Sequence, residues 1–362
     1  MRHHIKENSN INQAALGQWA ARSDDKEQAM IVVTGGAGLI GSAVIWHLNQ
    51  LGRDDIVVVD HLSKSEKWLN LRPLRFFDYY EKDHFQQLMT QDALPYREQI
   101  RTIIHLGACS DTTEVDAGYL VQNNFAYSKM LAEFAARNGL RMVYASSAAT
   151  YGDGENGFLD DDRSLSKLRP LNKYGYSKQL FDQWLLQRGW LSQRLLSGAS
   201  FVGLKYSNVF GPNEYHKAHM RSMVLRSFEQ ITATGVVKLF KSYRPEYADG
   251  EQVRDFLYVK DAAAMTVFFA DAGYAACGLH NIGFGSVRSW NDLARATFAA
   301  LKRPVRIEYI EMPEELRNRY QYYTCLDISK LRKAGYTAPL TTLEAAIEDT
   351  CAYLVDRRHL GE

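Results

Sequence analysis

Four cysteines in 362 residues, at Cys109, Cys277, Cys325 and Cys351, form no CxxC pair and no Cys/His cluster. No metal site is expected from them, and buried reduced thiols are the plain reading. Charge of one sign is also missing. Lys and Arg number 43 against 42 Asp and Glu, a net +1, so no strong field recruits nucleic acid or an anionic membrane. Any anionic ligand has to be held by local groups. No uncharged run reaches the ~18 apolar residues that a membrane span needs; the most apolar stretch, Ala262–Ala270, ends at Asp271. There is no internal repeat, no low-complexity tract and no apolar leader of the signal-peptide kind. The polar residues 1–29 read as a disordered extension. A cytoplasmic location is the expectation that follows.

What is present begins at Met30. Short apolar runs, Met30–Thr34, Ile56–Asp60, Thr102–Leu106, Met142–Ser146 and Phe201–Tyr206, alternate with helical patterns at Gly38 to Leu51, Tyr119–Asn138 and Tyr174–Gln187. Continuous apolar strands separated by helices predict a parallel sheet covered on both faces. The expected fold is α/β, a Rossmann-type doubly wound sheet over residues 30–210. After Gly211 the alternation weakens. Tyr215–Thr234 reads as one helix, and residues 211–362 read as mainly a smaller substrate-binding lobe, with some segments returning to the sheet. The stretches Gly189–Gly198 and Lys241–Gln252 read as loops.

The segment from Thr34 to Gly41 (TGGAGLIG) follows a strand and opens a helix. Such a chain must turn sharply, let its backbone approach a pyrophosphate and pack a helix on the sheet, and each demand excludes a β-carbon. The helix N-terminus adds N–H donors. Gly35, Gly36, Gly38, Leu39, Ile40 and Gly41 are therefore the candidate contacts of a dinucleotide. Asp60 follows about 20 residues later, where a carboxylate can accept from a ribose 2′-hydroxyl of NAD. His61, Lys64, Lys67 and Lys82 supply cations able to neutralise the 2′-phosphate of NADP. The residues alone leave the two cofactors open.

YxxxK at Tyr174 and Lys178 opens a further helical segment, and positions i and i+4 share a helix face. A phenol of pKa about 10 is a poor base at neutral pH; a neighbouring ammonium lowers that value. Upstream, Tyr144 to Gly152 (YASSAATYG) ends a strand, and a serine hydroxyl there can hold the substrate oxygen. Residue type does not choose between Ser146 and Ser147.

These motifs resemble the extended short-chain dehydrogenase/reductase family. More narrowly, HLGACSDTTE (His105–Glu114), Asn123–Asn124, YASSAATYG, YGYSK (Tyr174–Lys178) and NVFGPNEYHK (Asn208–Lys217) resemble the ADP-glyceromanno-heptose 6-epimerases, from Met30 to about Leu354. The resemblance implies Tyr174 as acid/base, Lys178 as its support, Ser147 as the holder of the substrate oxygen and Lys217 as a second acid/base on the opposite face. It implies NADP, with Lys67, Lys82, Leu106, Gly107, Ala108, Asn123 and Val209 among the cofactor contacts. It implies an ADP-sugar gripped by Ser110, Asn208, Phe240, Arg254 and Tyr320, and a homo-oligomer, commonly a pentamer. His219 and Arg226, also substrate candidates, depart from the residues usual there. A net reductase of a nucleotide sugar and a non-catalytic dinucleotide binder are the rivals; an intact YxxxK argues against the second. A 4,6-dehydratase needs a carboxylate pair where this chain has Ala148 and Ala149.

Overall fold

A computed structural model describes residues 29–271, 276–317 and 320–362; residues 1–28, which hold nearly all of the expected extension, lie outside the described residues. Seven strands form the central sheet: β1 (Met30–Thr34), β2 (Ile56–Asp60), β3 (Asp78–Glu81), β4 (Ile100–His105), β5 (Arg141–Ser147), β6 (Ser200–Tyr206) and β7 (Gly278–Ile282). Their order is β7-β6-β5-β4-β1-β2-β3, and every pairing is parallel. This is the doubly wound architecture expected from the sequence. The longer helices are α1 (Leu39–Gln50), α2 (Lys82–Thr90), α3 (Tyr127–Arg137), α4 (Lys173–Gln187), α5 (Met223–Thr234), α6 (Val259–Ala270), α7 (Trp290–Ala300) and α8 (Leu343–Asp356).

Successive residues of a strand face opposite sides, and β1 divides accordingly. Ile31 and Val33 join the cluster with Val44, Ile45 and Leu48 of α1 and with Ala262, Ala263 and Met265 of α6. Met30 and Val32 join the opposite cluster, with Phe85 of α2, Leu131 and Phe134 of α3 and Phe181 and Leu185 of α4. Each such aliphatic side chain contributes roughly 1.5–3 kcal/mol when fully buried. Two helices of the carboxyl half thus serve different layers, since α6 covers the sheet while α7 packs with α5 in the lobe. Ile231, Val237, Leu239, Ala294 and Phe298 make the lobe's own small core, beneath the parallel pair Val237–Phe240 and Ile307–Ile310.

The single helix expected over Tyr215–Thr234 is two pieces. A 3-10 turn runs over Tyr215–Met220 with Ala218 at φ 45, and α5 starts only after Ser222, whose side chain accepts from Leu225 N. Apolar spacing is continuous across the break, and a local cap overrides it. Likewise the helix expected from Tyr119 begins at Ala117 and passes through a π-helical turn, Val121–Ala126, before α3.

A buried ion pair joins β5, β6 and α4. Lys205 Nζ lies 3.1 Å from Asp182 Oδ2, with both side chains essentially inaccessible. Asp182 also accepts from Tyr144 Oη at 2.9 Å and Ser146 Oγ at 2.6 Å, and Lys205 donates to Thr150 Oγ1 at 2.6 Å. Removing one partner strands a charge in the interior. Lys205→Met should lower stability by about 3–5 kcal/mol, and adding Asp182→Asn should recover part of it. Urea midpoints at unchanged slope would measure both.

Candidate active site

The carboxyl ends of β1, β4 and β5 lie side by side, with Thr34 opposite His105 and His105 opposite Tyr144. Everything that follows these strands in sequence therefore meets at one edge of the sheet. The glycines make the meeting possible. A β-carbon on Gly35, whose φ is +70, would lie 2.6 Å from Gly107 N, and one on Gly41 would lie 2.0 Å from Gly35 O. At Gly38, the N-cap of α1, no side chain caps the helix and no acidic residue sits in its first turn. The leading N–H groups at Leu39, Ile40 and Gly41 are thus left to a ligand, which suits a pyrophosphate. The residues present fit a dinucleotide.

At the end of β2, Asp60 is 7% exposed. One carboxylate oxygen accepts from Ala37 N at 2.8 Å, the other from His61 N at 2.7 Å and Lys67 Nζ at 2.5 Å. The carboxylate braces the glycine loop and is countered by Lys67. His61 is exposed and lies 3.2 Å from Glu81. Lys82 and Asn123 are hydrogen-bonded to each other at 3.0 Å. Leu106, Gly107 and Ala108 follow β4 beside the loop, whereas Ser110 is exposed.

Beneath the loops runs a polar chain that sequence reasoning missed. Ser128 Oγ donates to Asn124 O at 2.6 Å, so it accepts from His105 Nε2 at 2.8 Å. His105 Nδ1 then accepts from Thr34 Oγ1 at 2.7 Å, and Thr34 Oγ1 accepts from Gly107 N at 3.1 Å. Burial holds the imidazole neutral, with its pKa lowered to about 3, as this arrangement of donors requires. Asn124 extends the chain: it exchanges hydrogen bonds with Cys109 N and O at 2.8 and 2.9 Å and donates to Ser177 Oγ at 2.9 Å. Ser177 in turn bonds the carbonyl of Tyr174 at 2.7 Å. The only signal in the sequence was the adjacency of Asn124 to Asn123, and the π-helical turn sends the two to different partners.

Asn172 caps α4 by accepting from Gly175 N at 2.7 Å. A β-carbon on Gly175 would meet Ala149 O at 2.7 Å, so the helix can approach the turn after β5 only because that residue is glycine. This contact brings Tyr174 to Ser147. The half-buried phenol has its pKa raised by desolvation, with interaction from the Ser147 side chain opposing that shift. Lys178, 5% exposed, donates to Ala145 O at 3.0 Å. Desolvation lowers its pKa to about 8 against the pull of Asp182. Ser146 instead faces Asp182, so the geometry separates the two serines that residue type could not.

A cavity of about 680 Å³ opens between the loop after β4 and the lobe; Asn208, Val209, Lys217, His219, Arg226, Phe240 and Tyr320 line it, with Thr112 on the near side. Val209, expected with the cofactor contacts, is thus in the same lining as the substrate candidates. Arg254 is buried behind them, its guanidinium 5.1 Å from the Tyr320 ring and 5.5 Å from that of Trp290. Trp290 Nε1 donates to Tyr320 Oη at 2.8 Å. Among the described residues no carboxylate pairs with Arg254, and desolvation lowers its pKa. His219 Nε2 lies 3.1 Å from Asp111 across the cleft, and Arg226 donates to the His219 carbonyl.

The doubly wound sheet with a glycine turn at its carboxyl edge defines a class of nicotinamide dinucleotide-dependent proteins, and residues 31–283 match the model of one of its families. The chain belongs to the NAD dependent epimerase/dehydratase family. It is 48% identical over 320 residues to the ADP-L-glycero-D-manno-heptose-6-epimerase of Nitratidesulfovibrio vulgaris (strain DP4), spanning 88% of this chain and 96% of that protein. The enzyme of the same name from Fusobacterium nucleatum is 46% identical over 328 residues, again spanning 88% of this chain and 96% of that one. The crystal structure of the Helicobacter pylori ADP-L-glycero-D-manno-heptose-6-epimerase superposes with a TM-score of 0.72 at 26% identity, covering 92% of this chain and 98% of that one. A UDP-N-acetylglucosamine 4-epimerase from Methanobrevibacter ruminantium M1 shares the fold, with a TM-score of 0.75 at 21% identity over 92% of this chain and 100% of that one.

Gly41→Ala should overpack the cradle by about 1–3 kcal/mol, weakening dinucleotide binding about ten- to a hundredfold. Fluorescence titration measures it, and an unchanged far-UV spectrum would confine the effect to the loop.

Proposed function

We propose that this chain inverts C6 of the heptose in an ADP-linked sugar by transient oxidation and re-reduction, with tightly bound NADP. The contact between Ser147 and Tyr174, with buried Lys178 one helical turn along, carries the reading, and Lys217 lines the cavity of the lobe. The names of the relatives at 46–48% identity supply the sugar.

The nicotinamide dinucleotide, when bound, supplies reversible hydride transfer. The chain's own residues manage protons and position. Ser147 donates to the reacting oxygen. The Lys178 ammonium favours the phenolate of Tyr174, which is poised to take or return a proton there. One base suffices to oxidise a carbinol, but inversion delivers hydrogen to the opposite face of the carbonyl. Lys217, on the lobe, supplies the proton donor for that face. Tyr174 and Lys217 thus exchange roles between the half-reactions, and no net oxidant or reductant is consumed. Arg254, a buried guanidinium that no carboxylate among the described residues pairs with, suits the substrate diphosphate. Asn208, Phe240 and Tyr320 grip the sugar nucleotide beside it, and Ser110, His219 and Arg226 complete the rim.

NADP is favoured over NAD by the state of Asp60. Its carboxylate braces the glycine loop through Ala37 N and holds Lys67 Nζ at 2.5 Å, which sets a cation at the end of β2. Lys67 stands ready beside it to counter a 2′-phosphate.

The purified enzyme should convert the ADP-heptose at catalytic NADP, with no net absorbance change at the nicotinamide band. Tyr174→Phe should lower kcat about 10²–10⁴-fold, the range of a general acid–base. Unchanged turnover in the Tyr174→Phe, Lys217→Met double variant would sink the mechanism.

The buried ammonium has a stability cost with a definite pH window. The Lys178 pKa is about 8 in the fold and 10.5 unperturbed, so the unfolded chain binds the extra proton between those values. The penalty is full below pH 8 and vanishes as pH rises through 10.5. Lys178→Met should therefore stabilise the fold by about 1–3 kcal/mol at pH 7. That gain should shrink by pH 9.5 in thermal melts, while turnover is lost at both.

A further inference from the structure

We propose that Glu214 is the positioning residue of Lys217: a buried carboxylate that closes the lysine-bearing turn onto the start of α5. This rests on the role given to Lys217 above.

Glu214 is 1% exposed. One carboxylate oxygen accepts from Ser222 N and the other from Ser222 Oγ, each at 2.6 Å, while the Glu214 carbonyl accepts from Lys217 N at 3.1 Å. The Ser222 hydroxyl, having donated to Glu214, accepts from Leu225 N at 3.3 Å and caps α5. The six-residue turn Tyr215–Met220 is thus tied at both ends through one side chain. The tie has something to hold. Ala218, directly after the lysine, sits at φ 45 and ψ −121, a conformation a non-glycine residue keeps only when its surroundings over-determine it. Two serine donors and a turn carbonyl are the local restraint that does so.

A buried carboxylate also needs an opposing charge. Among the described residues no cation reaches ion-pair distance of Glu214. Its pKa is raised by desolvation, and Lys217 is the leading charge that opposes the shift.

The test is a double-mutant cycle on the whole enzyme, reading kcat, KM and melting temperature. Glu214→Gln keeps the volume of the side chain and removes its charge. Acting through the lysine, it should lower kcat about tenfold with KM nearly unchanged, and should have no further effect in the Lys217→Met background. An equal fall in kcat in both backgrounds, or none in either, would overturn the proposal and leave Glu214 a purely structural group. Should Glu214→Gln not fold, Ser222→Ala, which frees one carboxylate oxygen and leaves the charge, enters the same cycle under the same criterion. Wild-type turnover in Lys217→Met alone would instead refute the role of Lys217 in the proposed function, a separate outcome.

Discussion

Lys178 keeps an ammonium 5% exposed with one backbone acceptor, Ala145 O, and much of the sheet's carboxyl edge is organised around that cost. Four residues along the same helix, Asp182 contributes the negative field that opposes desolvation. Asp182 would itself be an expensive buried charge, and Lys205, Tyr144 and Ser146 satisfy it from two neighbouring strands. Thr150 then links Lys205 to the turn, donating to the Ser147 carbonyl at 2.7 Å. A buried ammonium at the edge of the sheet is thus compensated layer by layer beneath it. Such a network lowers the stability of the fold and raises the definition of the site, the usual balance at a reactive centre.

The second organising element is backbone proximity. Glycine permits three close approaches: the β1–α1 turn against Gly107, the turn against itself at Gly41, and α4 against Ala149 at Gly175. The polar chain from Gly107 through Thr34, His105 and Ser128 to Asn124 holds the first of these in register. Because Asn124 also bonds Ser177, the loop after β4 and the helix of Tyr174 are one hydrogen-bonded unit. A neutral, tautomer-specific histidine at its centre makes the chain directional. The glycine turn after β1 and the helix that carries Tyr174 are consequently held by the same few bonds.

The lobe follows a different logic. Its core is small, and its contribution is a wall of aromatic and cationic groups over the sheet edge. Arg254 lies against aromatic rings in place of a carboxylate. Its guanidinium donates to the Val253 carbonyl at 2.9 Å, and burying such a charge without a counter-ion is costly. The neighbouring Asp255 does not relieve it, because its carboxylate is used by the backbone of Phe284, Gly285 and Leu326. Two adjacent residues of opposite charge are therefore satisfied separately, Asp255 by backbone N–H groups and Arg254 by a carbonyl and two aromatic rings.

The sequence alone carried the parallel order of strands and helices, the glycine cradle, and the Tyr174–Lys178 spacing. These depend on interactions within a few residues or on a strict period, which a linear pattern records directly. Tertiary structure decided the rest. It broke the run Tyr215–Thr234 at Ser222, because a side-chain cap and a buried carboxylate outweigh continuous apolar spacing. It separated Ser146 from Ser147 by which face of β5 meets Asp182. It set the Asp60 carboxylate between Ala37 N of the glycine loop and the Lys67 ammonium. It also joined Glu214 to Ser222 and Asp182 to Lys205, pairings between residues 8 and 23 positions apart. A charge's partner is chosen by folding in three dimensions, and no local periodicity encodes which distant group will share its burial.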